Sequence, residues 1–156
     1  MERIGHLLLA VDGSDAALAA AAMAGLLARN CNSRVSIVVV HGDALLLLPG
    51  VTEAALPGSM PFNAFPKDEA RKHAEAAASE HIIPSAEAAL GTVPGGVSSV
   101  QLWGHTAEKL CRYAEKNDVD MIIMGKRGGG TFKKLLLGSV ALQVVGHAPC
   151  AVTVVG

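Results

Sequence analysis

The stretch Met124–Val140, "MGKRGGGTFKKLLLGSV", decides how this chain is read. It places three consecutive glycines, Gly128–Gly130, just after an apolar run, and its first eleven positions hold four of the chain's 13 lysines and arginines. Gly138 and Ser139 then precede what reads as the start of a helix. Successive glycines let backbone N–H groups turn toward a small anion without Cβ obstruction. A helix start adds free N–H groups and the positive end of its dipole. With Lys126, Arg127, Lys133 and Lys134 close by in sequence, these are the parts of a phosphate cradle. Taken alone, the same residues equally describe a flexible turn with a solvated basic face.

The segments around this stretch place it at a strand end. Buried strands are predicted at Ile4–Val11, Val35–Val40, Val119–Met124 and Cys150–Val155, with a weaker fifth at Val97–Trp103. Three of the first four are nearly all apolar rather than alternating, as strands covered on both faces are. Helical runs are predicted between them. Ser14 or Asp15 caps Ala16–Arg29, Lys67–Ala89 must be kinked or broken at Pro84, and Thr106–Lys116 and Ser139–His147 follow. Such alternation predicts an α/β fold, a parallel sheet with right-handed crossovers and helices on both faces. Ligands of open parallel sheets bind outside the carboxyl ends of the strands, and Gly125–Gly130 falls at such an end. One stretch breaks the rhythm. Gly42–Pro66 holds four prolines and no clear period, and reads as a loop folded over the site mouth or a partner subunit.

Bulk composition narrows the classes. At 156 residues the chain is read as a single domain, 1–156, with a core of Ala, Leu, Val and Ile, since 51% is hydrophobic and only 3% aromatic. A formal net charge of −1 argues against a nucleic-acid partner. The longest apolar stretch, Ala16–Ala28, falls short of the roughly 18 residues of a membrane span, and Glu2 and Asp12 interrupt any signal-peptide pattern. Three scattered cysteines, Cys31, Cys111 and Cys150, read as reduced thiols packed in the core of a cytoplasmic protein. None of the six histidines has metal-ligand spacing.

The cradle is not a Walker A loop. Gly125 and Gly130 have the right separation, but Thr131 stands where the gripping lysine belongs. No G-x-G-x-x-G follows the first strand either, where "VDGSD" (11–15) stands. The spacing Gly125-x-x-Gly128, nine residues, then Gly138-Ser139 instead resembles the G-2x-G-9x-G-[S/T] pattern of the ATP-binding branch of universal stress proteins. "HLLLAVDGS" (6–14), "AEKNDVDMIIMGKRG" (114–128), "LLLGSV" (135–140) and "HAPCAVTVV" (147–155) resemble the same family.

That resemblance implies a Rossmann-like three-layer sandwich whose five-stranded parallel sheet has the order 3-2-1-4-5. It also implies a homodimer, expected through Cys150–Val155, because an apolar edge strand invites pairing. The implied ligand is ATP or another adenine nucleotide, with Mg²⁺. By resemblance Asp12 holds the ribose or the metal and Gly42 offers its backbone to the adenine edge. Gly125, Lys126, Arg127, Gly128, Gly130, Gly138, Ser139 and Val140 line the ribose and phosphates. Three departures stand out: Gly42 where the family has an aliphatic residue, Lys126 where it has Ser or Thr, and Leu142 where it has an acid three after the capping Ser. No general base beside a nucleophile is visible, so a regulatory stress-response ligand is expected rather than a substrate. The rivals are a dimeric interaction protein that binds no nucleotide and a slow ATP hydrolase.

Overall fold

The computed structural model describes residues 4–42, 67–126 and 137–156. The expected loop beyond Gly42 lies outside them, as do Arg127, Gly128 and Gly130. In chain order the elements are β1 (His6–Val11), α1 (Asp15–Cys31), β2 (Arg34–His41), α2 (Lys67–Ala77), a π-helical turn (Ala78–Ile82), α3 (Ile83–Leu90), β3 (Val97–Trp103), α4 (Thr106–Lys116), β4 (Met121–Gly125), α5 (Ser139–His147) and β5 (Ala151–Val155). All five strands are parallel in the order β3-β2-β1-β4-β5. This is the expected order.

The apolar strands are apolar on both sides because both sides are covered. Leu7, Leu9, Val11, Val35, Ile37 and Val39 share one core cluster with the alanines of α1 and with Ile83, Ala86 and Leu90 of α3. Leu8, Val38, Ile122 and Met124 pack with Ala107, Leu110 and Ala114 of α4 and Ala141 and Val144 of α5 in the other. The period of two along each strand deals its residues to opposite layers. Alanine on α1 keeps that helix close. At Gly25 the approach is closer still, since a Cβ there would lie 1.9 Å from the Leu90 carbonyl oxygen of α3.

Strand ends differ from expectation by a residue or two, each for a local reason. Gly5 N–H and His6 N–H donate to Asp120 Oδ2 at 2.7 and 2.9 Å, so β1 begins at His6 rather than Ile4. β4 begins at Met121 rather than Val119, because Asp118 takes a left-handed conformation (φ 51°) and Val119 N–H donates back to the Ala114 carbonyl of α4.

Pro84 was expected to kink or break its helix, and the α-helical run from Lys67 to Leu90 is interrupted just before it by the π-helical turn Ala78–Ile82. Proline lacks an N–H and its ring crowds the carbonyl four residues back. Here the preceding turn widens instead, with Ile83 N–H donating to the Ala78 carbonyl five residues back. The cysteines are half-buried thiols without disulfides rather than fully buried core residues. Burial raises the Cys111 and Cys150 pKa above the usual thiol value. No helix among the described residues is long and apolar enough to cross a membrane.

Candidate functional site

The chain passes from β1 to its neighbour β2 through α1, and later returns from the far edge to lay β4 on the other side of β1. The strand order therefore reverses between β1 and β4, and a crevice opens at their carboxyl ends. Asp12 and Gly125 lie there. Ala10 is in register with Met124, which sets Gly125 beside Val11 and one step from Asp12.

Asp12 is exposed, at the turn into α1. Its Oδ1 accepts from Ser14 N–H at 3.0 Å and from Ser14 Oγ–H at 2.6 Å. Ser14 in turn caps α1 by accepting from Ala17 N–H at 3.3 Å. Asp12 thus braces the cap and does not itself cap, while Oδ2 has no hydrogen-bond partner among the described residues. Gly13, between them, has φ 82°, a conformation that favours glycine, and the π turn sets Ile82 against it.

Gly125 is glycine for a reason the sequence does not reveal. A Cβ there would lie 2.8 to 2.9 Å from the Ala16 carbonyl carbon, Cβ and carbonyl oxygen in the first turn of α1. Lys126 N–H donates to the Val155 carbonyl, and Gly138 N–H donates to the Lys126 carbonyl at 2.9 Å. The second bond sets the start of α5 beside the end of β4. Lys126 itself leans over the end of β5: a Cβ on Gly156 would lie 2.6 Å from its Cδ.

Ser139 was expected to cap α5, but Gly138 is the cap and Ser139 the first helical residue. Gly138 accepts the first helical bond, from Leu142 N–H at 3.0 Å, and no side chain caps the helix. The missing acid at Leu142 is therefore immaterial to a Ser139 capping box. Ser139 is exposed, with no hydrogen-bond partner for its hydroxyl among the described residues, whereas Val140 turns its side chain into the α4–α5 core and keeps only backbone for a ligand.

At the end of β2, a Cβ on Gly42 meets no described residue within 4 Å. His41 is in register with Trp103 of β3, and their rings stack with centroids 4.6 Å apart and planes at 27°. Trp103 Nε1–H donates to Glu75 Oε1 at 2.7 Å, and the Arg71 guanidinium lies 4.9 Å from the Trp103 ring. Gln101 joins the group, its Oε1 2.7 Å from His41 Nε2 and its Nε2–H donating to the Glu75 carbonyl and to Ser79 Oγ. Sequence reasoning had no pattern for Glu75, Gln101 and Trp103. Strand register and α2 bring them together, and the one available signal was a lone tryptophan ending a weak strand.

The amino ends of the strands carry a second polar cluster. His6 is 5% exposed and Ser36 4%. His6 Nε2 lies 2.8 Å from Ser36 Oγ, and its Nδ1 lies 3.0 Å from both the Asn117 carbonyl and Arg34 Nη2. Burial lowers the His6 pKa, and the Asn117 carbonyl opposes that less strongly. No group of three or more His, Cys, Asp or Glu among the described residues is arranged to hold a metal ion.

The strand order and the crevice at its reversal define a doubly wound α/β protein. The profile of the Universal stress protein family matches residues 3–156, and the chain belongs to that family. A universal stress protein of Thermus aquaticus is 34% identical over 149 residues, 96% of each chain. One of Methanocaldococcus jannaschii is 39% identical over 59 residues, 38% of this chain and 35% of that protein. Among solved structures, the universal stress protein UspA of Lactobacillus plantarum superposes with a TM-score of 0.77 at 23% identity over 100% of both chains. A universal stress protein in complex with cAMP gives 0.63 at 21% identity, over 99% of this chain and 98% of that one. The Archaeoglobus fulgidus protein in complex with dAMP gives 0.62 at 21% identity over 100% of both.

Proposed function

We propose that this chain binds ATP with Mg²⁺ as a regulatory ligand, as a cytoplasmic member of the ATP-binding branch of its family. The observation that carries the reading is the hydrogen bond from Gly138 N–H to the Lys126 carbonyl. It sets an uncapped helix start, with the Ser139 hydroxyl, at the strand end one step from Asp12. Uncapped N–H groups and the helix dipole favour a phosphate there. Asp12 Oδ2 suits a divalent ion or a ribose hydroxyl, and a hard cation takes carboxylate and phosphate oxygens. Arg127, Gly128 and Gly130 complete the phosphate cradle by the sequence pattern. The cAMP and dAMP complexes of related proteins agree with an adenine ligand.

Calorimetry with ATP and Mg²⁺ tests the reading, alongside mass spectrometry of any nucleotide that co-purifies. Binding is expected for the native chain and lost in Gly128→Val, whose added bulk occupies phosphate volume. Unchanged affinity in that variant overturns the site, and no binding by the native chain favours an interaction protein that takes no nucleotide.

Turnover is proposed to be slow, below roughly one per minute against about 1–1,000 per second for typical enzymes. By the family resemblance Asp12 serves the ribose or the metal and His41 stands near the adenine, remote from the terminal phosphate, so neither is placed to take a proton from an attacking water. A homodimer through β5 completes the proposal, since that edge strand keeps Val152 and Val154 only partly buried. Val154→Glu should shift it toward monomer in analytical ultracentrifugation.

A further inference from the structure

The Gln101 amide has a fixed orientation. Its Nε2 lies 3.1 Å from the Glu75 backbone carbonyl, which only accepts, and 2.9 Å from Ser79 Oγ. The nitrogen must face α2, so Oε1 faces His41 at 2.7 Å. An amide oxygen only accepts, and His41 Nε2 therefore carries the proton. In the neutral imidazole that leaves Nδ1 bare, a pure acceptor. Nδ1 has no hydrogen-bond partner among the described residues. Stacking on Trp103 holds the ring plane. The two nitrogens of an imidazole face away from each other, so with Nε2 turned to Gln101, Nδ1 is turned away from it. The next residue is Gly42, where a Cβ would meet no described residue within 4 Å.

We propose that His41 selects a 6-aminopurine over a 6-oxopurine, its Nδ1 accepting an exocyclic N–H of adenine and repelling O6 of hypoxanthine or guanine. Gln101 is the positioning residue that fixes the tautomer, and Trp103 fixes the ring. The inference rests on the adenine-nucleotide reading above. It adds a side chain that reads the base, where the family resemblance supplies only the Gly42 backbone. His41 is half-buried, so the discrimination is that of one hydrogen bond made or lost, roughly tenfold in affinity.

Two measurements test it. Nitrogen-15 NMR of the unliganded native chain at mildly alkaline pH should show His41 protonated at Nε2 and bare at Nδ1. Calorimetry should give ATP about tenfold tighter binding than ITP. In His41→Phe, which keeps a ring against Trp103, ATP affinity should fall to that of ITP. In Gln101→Leu the ATP-to-ITP ratio should narrow while the imidazole proton distributes over both nitrogens. A bare Nε2, equal affinities in the native chain, or a preference that survives in His41→Phe overturns the proposal and leaves nucleotide binding standing. A native chain that binds neither nucleotide overturns both readings. Should His41→Phe fail to fold, the native tautomer and the native ATP-to-ITP ratio still decide.

Discussion

The two ends of the sheet carry similar polar chemistry and use it in opposite ways. At the amino end His6, Ser33 and Ser36 are buried, and each finds its partner inside the protein. No buried side-chain polar atom among the described residues lacks one. At the carboxyl end Asp12 and Ser139 are exposed, and the start of α5 has no side-chain cap. A group satisfied internally contributes to stability and has nothing left for a ligand, whereas a solvated group adds little to stability and stays available. Polar residues at a strand end therefore say little by type. Their partners separate framework from site.

Substitutions can break that contrast. The largest expected effect comes from Gly125→Ala, the carboxyl-end residue that should behave as framework. Its Cβ would meet the Ala16 backbone at 2.8 Å, so α1 must shift, at a cost of about 2–3 kcal/mol in urea unfolding. A neutral result would make Gly125 a ligand residue only.

Next come two aspartates. Asp120→Ala removes the acceptor of the Gly5 and His6 N–H groups and should cost about 2 kcal/mol. Asp12→Ala, whose donors face solvent, should cost less than about 1 kcal/mol and weaken nucleotide binding instead. Equal losses of stability would erase the difference between the two ends.

The pH dependence of the melting temperature follows from His6, whose folded pKa is lowered by burial from the ordinary 6.5. The unfolded chain takes up the proton first, so this contribution is fully present above the unfolded pKa. It is lost as pH falls below it toward the folded pKa. His6→Gln should flatten the profile in that acidic window, and an unchanged slope would assign it to other groups. The smallest expected effect on stability is that of Ser139→Ala, within about 0.5 kcal/mol. Its ATP affinity should nonetheless fall several-fold, by about one hydrogen bond.

The fold was legible because each strand announced itself. Leu7–Leu9 and Ile37–Val40 are apolar at consecutive positions, as strands of a sheet covered on both faces are. Gly125 ends β4 and Ser139 begins α5, where the apolar run and the glycine-and-serine stretch put a strand end and a helix start. Details that depend on contacts distant in sequence were not legible. Gly138 rather than Ser139 caps α5 because of where the chain re-enters beside Lys126. Pro84 interrupts its helix through a π-helical turn rather than a loop, because the turn before it widens. Gly125 carries a packing constraint set by Ala16, more than a hundred positions earlier. The His41–Gln101–Trp103 group exists only once β2 and β3 are in register, and no local spacing encodes a register.

Trp103 is the chain's one tryptophan. Its indole is stacked on His41, the residue before Gly42 at the carboxyl end of β2. Its emission is therefore an optical signal from a single known position, sensitive to the ring it touches. A nucleotide arriving at that strand end should change the intensity or wavelength without any added label, and a ligand at the opposite end of the sheet should not. The protein thus contains its own indicator, and a simple titration in a fluorimeter tells which end of the sheet a candidate ligand has reached.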